Sequence, residues 1–358
     1  MKCGTFGKWI LSSGLIVTGL LTASASDRLA TPAGEPWIIR GQSEARLAAF
    51  DSADCFDDLP ECSTGCDSDC DCDCGYGTHW DNTSIFFAAD SWRTRPDDDY
   101  PGSHGFRTGV SSGIGWWDCP IRLQVGASYA GYDLSGRDSD IGADPLHSSS
   151  AEQQLFFTGG VYRRSDICND ERCSWAGVID VNYDNHFGEQ AQEILLTQAR
   201  GIVGYAINEC DEVGIWGASR VNWQRLQSDV PPGRFRIRGL TQASLFWHRN
   251  WALGGDTWLY VGAAEEPAEW VLGASGQAPL SESVALFGGF AWGIPSAPAG
   301  DPLGQQNYSE EYWNLSFGIV WYPGWKAKND TVSGHAGLPL LPVADNGTFL
   351  VFARPGNL

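Results

Sequence analysis

The stretch "EYWNLSFGIVWYP", residues 311–323, alternates with a period of two. Trp313, Leu315, Phe317, Ile319 and Trp321 fall on one side; Asn314, Ser316, Gly318 and Val320 fall on the other. Successive side chains of a strand point to opposite faces, so this pattern specifies a strand with one apolar face and one small, polar face. "SWAGVIDVNYDNH" repeats it, with Trp175, Ile179, Val181 and Tyr183 opposite Asp180, Asn182 and Asp184. "PIRLQVGASYAGY" sets Ile121, Leu123, Val125, Ala127 and Tyr129 against Arg122, Gln124, Gly126 and Ser128. "EVGIWGASRVNWQ" sets Val213, Ile215, Val221 and Trp223 against Arg220, Asn222 and Gln224, with Trp216 interrupting the polar side.

Weaker alternation recurs at 84–93, 104–117, 152–163, 194–207, 234–248, 257–264, 268–277 and 282–293. The total is about twelve strands, each near the ~10 residues that a tilted membrane strand needs. Their connections fall into two classes. "DCP" at 118–120, "NECD" at 208–211, "ALGGD" at 252–256 and "APLSE" at 278–282 are short, with a longer member at 164–173. "TRPDDDYPGS" at 94–103, 135–150, "SDVPPGR" at 228–234 and 295–307 are mostly longer and polar, with the "EEP" turn at 265–267 an exception. Short turns at one end and long loops at the other is the layout of an outer-membrane barrel, whose short turns face the periplasm. Aromatic residues at strand ends fit the two membrane–water boundaries. The reading is therefore all-β, an antiparallel up-and-down transmembrane β-barrel. A soluble secreted β-domain binding a carbohydrate-like ligand is the alternative, because soluble sandwiches also alternate.

The chain begins as a secretory signal. Lys2 and Lys8 precede the apolar run "WILSSGLIVTGLLTA", and "ASA" (23–25) offers small residues for cleavage. The expected organisation is signal peptide 1–25, an acidic cysteine-rich irregular segment 26–79, a barrel 80–322 and a Pro/Gly-rich tail 323–358. Export into the outer membrane makes lipid a partner and permits disulfides. A net charge of −21 argues against nucleic acid. The 44 Gly, 17 Trp, 11 Tyr and 16 Phe suit strands and turns better than a helical domain.

Removing Cys3 from the eleven cysteines leaves ten, an even number. Cys55, Cys62, Cys66, Cys70, Cys72 and Cys74 precede the first strand; Cys119, Cys168, Cys173 and Cys210 fall at short turns. An even strand count gathers all ten at the periplasmic rim. Disulfides come first, with Cys168 and Cys173 flanking one turn and Cys119 and Cys210 open to each other or to the cluster. A metal comes second: the spacing is not "CxxC…CxxC", and Asp67, Asp69, Asp71 and Asp73 only echo a calcium loop. A reactive or intermolecular thiol joining a periplasmic or cell-wall partner comes third. No metal site or cofactor is assigned.

The polar strand face carries the functional candidates. Arg107, Arg122, Arg200, Arg220, Arg236 and Arg238 fall there with Asp180, Asn182, Asp184 and Asn222. Turned inward, they either line a pore for small solutes or ions, anions included, or pair with one another and fill a narrow lumen. A passive pore and a structural envelope protein are thus both open. The enzyme alternative, a barrel-embedded hydrolase, needs serine, histidine and an acid within reach of one another. "HSSS" (147–150) and His186 offer the residue types without a signature, so no catalytic residue is assigned.

The chain's end is more specific. "NLSFGIVWYPGWKAKNDTVSGHAGLPLLPVADNGTFLVF", residues 314–352, resembles the end of an uncharacterised family of envelope β-barrel proteins from planctomycete-type bacteria. "WYPG" and "LPLLPVADNGTFLV" carry the likeness, and the order of signal, variable segment, barrel and Pro-rich tail agrees with it. The resemblance implies an envelope location and a barrel, with no activity or catalytic residues to transfer. The chain departs from the usual bacterial barrel in that residues 323–358 follow the last strand, where a terminal aromatic is normal.

Overall fold

The computed structural model describes residues 79–93, 102–115, 120–134, 151–187, 192–227, 234–265, 268–295 and 312–355. The signal-like segment, the cysteine-rich run and "HSSS" lie outside these residues, as does the His186 side chain.

Alternating apolar and polar residues form strands β1 (Thr83–Arg93), β2 (Ser103–Gly115), β3 (Arg122–Tyr132), β4 (Glu152–Arg163), β5 (Cys173–Phe187), β6 (Gln192–Ala206) and β7 (Asp211–Arg220). After β8 (Trp223–Gln227) and β9 (Arg234–Gly239), the series resumes with β10 (Gln242–Asn250), β11 (Asp256–Ala264), β12 (Ala268–Pro279), β13 (Val284–Pro295) and β14 (Tyr312–Trp321). A last strand, β15 (Val351–Pro355), ends the described chain. Twelve of these close an antiparallel barrel, β1–β7 and β10–β14, sealed where β1 pairs with β14 in the register Ala88↔Gly318.

The side chains show which solvent this barrel is built for. Leu245 and Phe317 are 63 % and 60 % exposed on the outer face, while Asp180 and Gln198, facing the lumen, are 0 % exposed. A water-soluble barrel would bury the first pair and expose the second. A continuous apolar exterior around a polar interior matches lipid outside, so the barrel spans a membrane. Trp321 and Tyr205 at one end of this belt, and Trp270 and Tyr129 at the other, are exposed. The soluble alternative fails on this inversion.

The near end of the barrel holds the start of β1, the end of β2, the start of β3, the end of β14 and the turns at 164–172, 207–210, 251–255 and 280–283. The far end carries β8, β9 and the Leu240–Thr241 link into β10. Two strand assignments change there. The expected strand 234–248 breaks at Leu240–Thr241: β10 stays in the wall, and β9 leaves it to form a three-stranded sheet ordered β15-β9-β8. The strand expected across 212–224 stops at Arg220. Past that point no strand forms a backbone ladder with β6 on that side, and amide side chains bridge to it instead. Asn222 Nδ2 donates to Leu195 O (3.0 Å), and Thr197 N donates to Asn222 Oδ1 (2.7 Å). Gln224 Oε1 accepts from Leu195 N (2.8 Å).

The chain after β14 does not leave the barrel. It first follows the near rim, where Ala327 N donates to Glu282 O (2.8 Å), Asn329 N to Gly254 O (2.9 Å) and Val332 N to Glu209 O (2.7 Å). It then turns into the bore. Leu338, Leu340, Leu341, Val343, Phe349 and Leu350 are all buried inside. At the far end Leu240 N donates to Leu350 O (2.8 Å), and β15 pairs with β9. The C-terminal segment thus threads the lumen from end to end. Gly113 and Gly337 allow its closest approach to the wall: a Cβ on Gly113 would lie 1.9 Å from Gly337 O, so neither neighbour tolerates a larger residue without displacement.

Candidate functional site in the barrel lumen

Pro339 and Pro342 lack N–H groups, so the stretch "GLPLLPV" carries more backbone acceptors than donors. Buried carbonyls need partners. The wall provides them. Tyr162 Oη donates to Gly337 O (2.7 Å), Gln124 Nε2 to Leu341 O (2.9 Å), Arg200 Nη2 to Pro342 O (2.7 Å) and Gln198 Nε2 to Thr348 O (3.3 Å). Arg164, just past β4, serves three carbonyls: Nε on Leu338 O (2.9 Å), Nη1 on Ser333 O (3.0 Å) and Nη2 on Pro339 O (2.7 Å). Burial lowers the Arg164 pKa, opposed by the neighbouring Tyr162 and Glu212.

Deeper in the bore, "DNGT" folds into a compact turn. Asp345 Oδ1 accepts from Gly347 N (3.1 Å) and Thr348 N (2.8 Å), and Arg107 Nη2 holds its Oδ2 at 3.2 Å. Asn346 Nδ2 donates to Tyr132 Oη (3.1 Å) and Gln154 Oε1 (2.8 Å), while Tyr132 Oη donates to Asp90. Apolar side chains complete the fit. Leu340 and Leu341 pack with Tyr162, Ile202, Trp216 and Phe246; Val343 and Phe349 pack with Tyr132, Phe156 and Leu196.

The sequence-derived polar set divides accordingly. Arg107, Asp180, Asn182, Asp184 and Arg200 face the lumen and are buried. Arg200 and Asp180 form an ion pair at 3.0 Å, with side chains 1 % and 0 % exposed. Asp184 accepts from Gln154 Nε2 (2.9 Å). Arg122 is half-buried at the near end of β3, in register with Tyr162. Four residues lie elsewhere. Arg236 and Arg238 are on β9, outside the barrel wall, because period two holds equally in either sheet. The Arg236 guanidinium lies 4.0 Å from the Trp223 ring centroid. Arg220 sits at the far rim with Glu265, and Asn222 is spent on the β6 backbone. Arg164 was absent from the set, although "YRRSD" places it two residues after the lumenal Tyr162 and so on the same face. Cys173 opens β5 at the near end and Cys210 lies in the near turn; the other cysteines, with the Cys168 side chain, are outside the described residues. Among the described residues no cluster of His, Cys, Asp and Glu could hold a metal ion.

Two predictions arise at this site. Arg164→Met removes a cation bonded to three buried carbonyls, and a loss on the order of 3 kcal/mol is expected from the usual strength of charged hydrogen bonds. Thermal unfolding in detergent measures it, and new protease cuts near residue 335 should accompany it. At the far rim, burial alone would raise the Glu265 pKa. The Arg220 hydrogen bond, the Thr241 N–H (3.0 Å) and Arg238 at 3.6 Å outweigh it, and the pKa falls below the ordinary 4.5. A depressed folded-state pKa gives stability that is full above 4.5 and lost as pH falls through the lower value. Proteolysis at 223–239 should therefore accelerate once pH falls below 4.5, and Glu265→Gln should flatten the profile.

A closed, lipid-facing barrel filled by its own C-terminal segment defines a plugged transmembrane β-barrel protein. Residues 82–351 match the Family of unknown function (DUF6666), and the chain belongs to that family. The matched span runs from the start of β1 to the first residue of β15 and includes the whole plug. No curated protein matches the sequence significantly. Among solved structures, a chain from a study of in-meso crystallization of membrane proteins is 8 % identical, with 75 % of this chain and 100 % of that chain covered and a TM-score of 0.42. Outer membrane phospholipase A from Escherichia coli is 10 % identical over 67 % and 95 %, with a TM-score of 0.38. The anion-selective porin from Comamonas acidovorans is 8 % identical over 67 % and 98 %, with a TM-score of 0.29. At these identities the likeness concerns barrel architecture alone.

Proposed function

We propose that the protein is an outer-membrane barrel held closed by its own tail, acting as a structural component of the envelope rather than as an open pore. The observation that carries this reading is the occupied bore, in which wall side chains bind tail carbonyls from Ser333 to Thr348. A passive anion pore needs arginines facing water. Arg107 is instead committed to Asp345, and Arg200 to Asp180 and Pro342 O. The outer-membrane assignment rests on the apolar exterior together with the signal-like start, and the short near turns suit the periplasmic side. Planar-bilayer recordings of the full-length protein test the reading. A quiet membrane is expected, and regular conductance steps overturn it. Membrane fractionation tests the location: recovery in soluble fractions rejects it.

A further inference from the structure

The threaded tail does not fill the bore evenly. Beside it remains a cavity of about 360 Å³, within the range that takes a small organic ligand. Its floor is a cross-strand row of small residues, Ser275↔Gly289↔Ser316 on β12, β13 and β14. Rings of Phe86, Trp216, Trp258, Tyr260 and Phe287 contribute to its sides.

Most charged groups around this space already have hydrogen-bonding partners. Arg107 holds Asp345 at 3.2 Å, Arg200 holds Asp180 at 3.0 Å, and Glu212 holds His248 Nδ1 at 3.2 Å. Arg164 is spent on tail carbonyls, Lys326 Nζ donates to Asn82 Oδ1 (2.7 Å), and Asp256 accepts from Asn329 Nδ2 (3.1 Å). What remains is hydrogen-bonding capacity at three buried atoms. Arg107 Nε, Ser111 Oγ and His248 Nε2 have no partner, and each belongs to a cavity-lining residue more than nine-tenths buried. Arg107 Nε only donates, and a serine hydroxyl does both. His248 Nε2 donates or accepts according to the tautomer of the ring. Arg107 and Ser111 lie on β2 and His248 on β10, across the barrel from one another. Ligand hydroxyls match such a mixture of donors and acceptors, and the C–H faces of a sugar ring match aromatic walls.

We propose that this cavity binds a small neutral polyhydroxylated molecule, a sugar of monosaccharide size. The proposal goes beyond the closed-barrel reading and holds whether or not the barrel conducts. Saturation-transfer-difference NMR with glucose on the full-length protein in detergent is the test, with sulfate as competitor. Saturable transfer to glucose is expected, undisturbed by sulfate. Ser275→Trp fills the floor and should abolish it. Ser111→Ala removes one unpartnered hydroxyl and should weaken it about tenfold. Heat-modifiable gel mobility verifies that both variants are folded. Absence of saturable transfer means the cavity holds only water and overturns the proposal. Displacement by sulfate overturns the neutral class, and transfer unchanged in both variants places the sugar elsewhere and overturns the site.

Discussion

Deletion of residues 334–358 is expected to turn a silent barrel into a conducting one. The deleted segment occupies the bore, and the polar wall behind it, including Gln124, Gln154, Thr158 and Gln198, is suited to water once the tail is gone. Selectivity should run opposite to the arginine reading. Among the described residues, Asp90, Glu152, Asp180, Asp184, Glu212 and Asp256 face the lumen, against Arg107, Arg122, Arg164, Arg200 and Lys326. Carboxylates outnumber cations, so the opened lumen should favour cations. Stability should fall as well. Leu338, Leu340, Leu341, Val343, Phe349 and Leu350 lose their buried contacts, each worth about 1.5–3 kcal/mol. The closed ladder from β1 to β14 survives, since no wall strand is removed. Single-channel recording and the temperature of heat modification measure the two effects. A deletion protein that is folded yet silent would sink the plug assignment.

Arg200→Met is expected to cost about 3–5 kcal/mol, the usual penalty for stranding one partner of a buried ion pair. Asp180 would keep Thr158 Oγ1 (2.7 Å) and Gln198 Nε2 (3.0 Å), both neutral donors, and lose its only cationic contact among the described residues. The tail would also lose the donor to Pro342 O. Adding Asp180→Asn removes the stranded charge, so the double variant should recover much of the loss. Equilibrium unfolding of the four proteins in detergent gives the coupling. A single-variant cost below about 1 kcal/mol would mean that water reaches the pair and the bore is wet at this level.

The wall was legible because lipid and lumen impose opposite chemistries on alternate residues. Asp180, Asn182 and Asp184 against Ile179, Val181 and Tyr183 declare both faces at once. The same rule misplaced Arg236 and Arg238, since alternation marks a strand without saying which sheet it joins. The plug was illegible for a different reason. It docks largely through backbone carbonyls, which every residue carries, so "GLPLLPV" announces no partner. One clue stood on the wall. Trp216 broke the polar face of its strand, and it is buried in the lumen against the same cluster as Leu340 and Leu341. An aromatic residue turned toward a supposed water channel indicated that something apolar lies inside.

A barrel of twelve strands crosses the bilayer an even number of times, which by itself returns both chain ends to one face. The lumenal segment adds a thirteenth passage, made without any wall hydrogen-bond ladder. Parity therefore changes from even to odd. Residue 79 lies at one mouth and residue 355 beyond the other, so the polypeptide links the two sides of the membrane through the centre of its own ring.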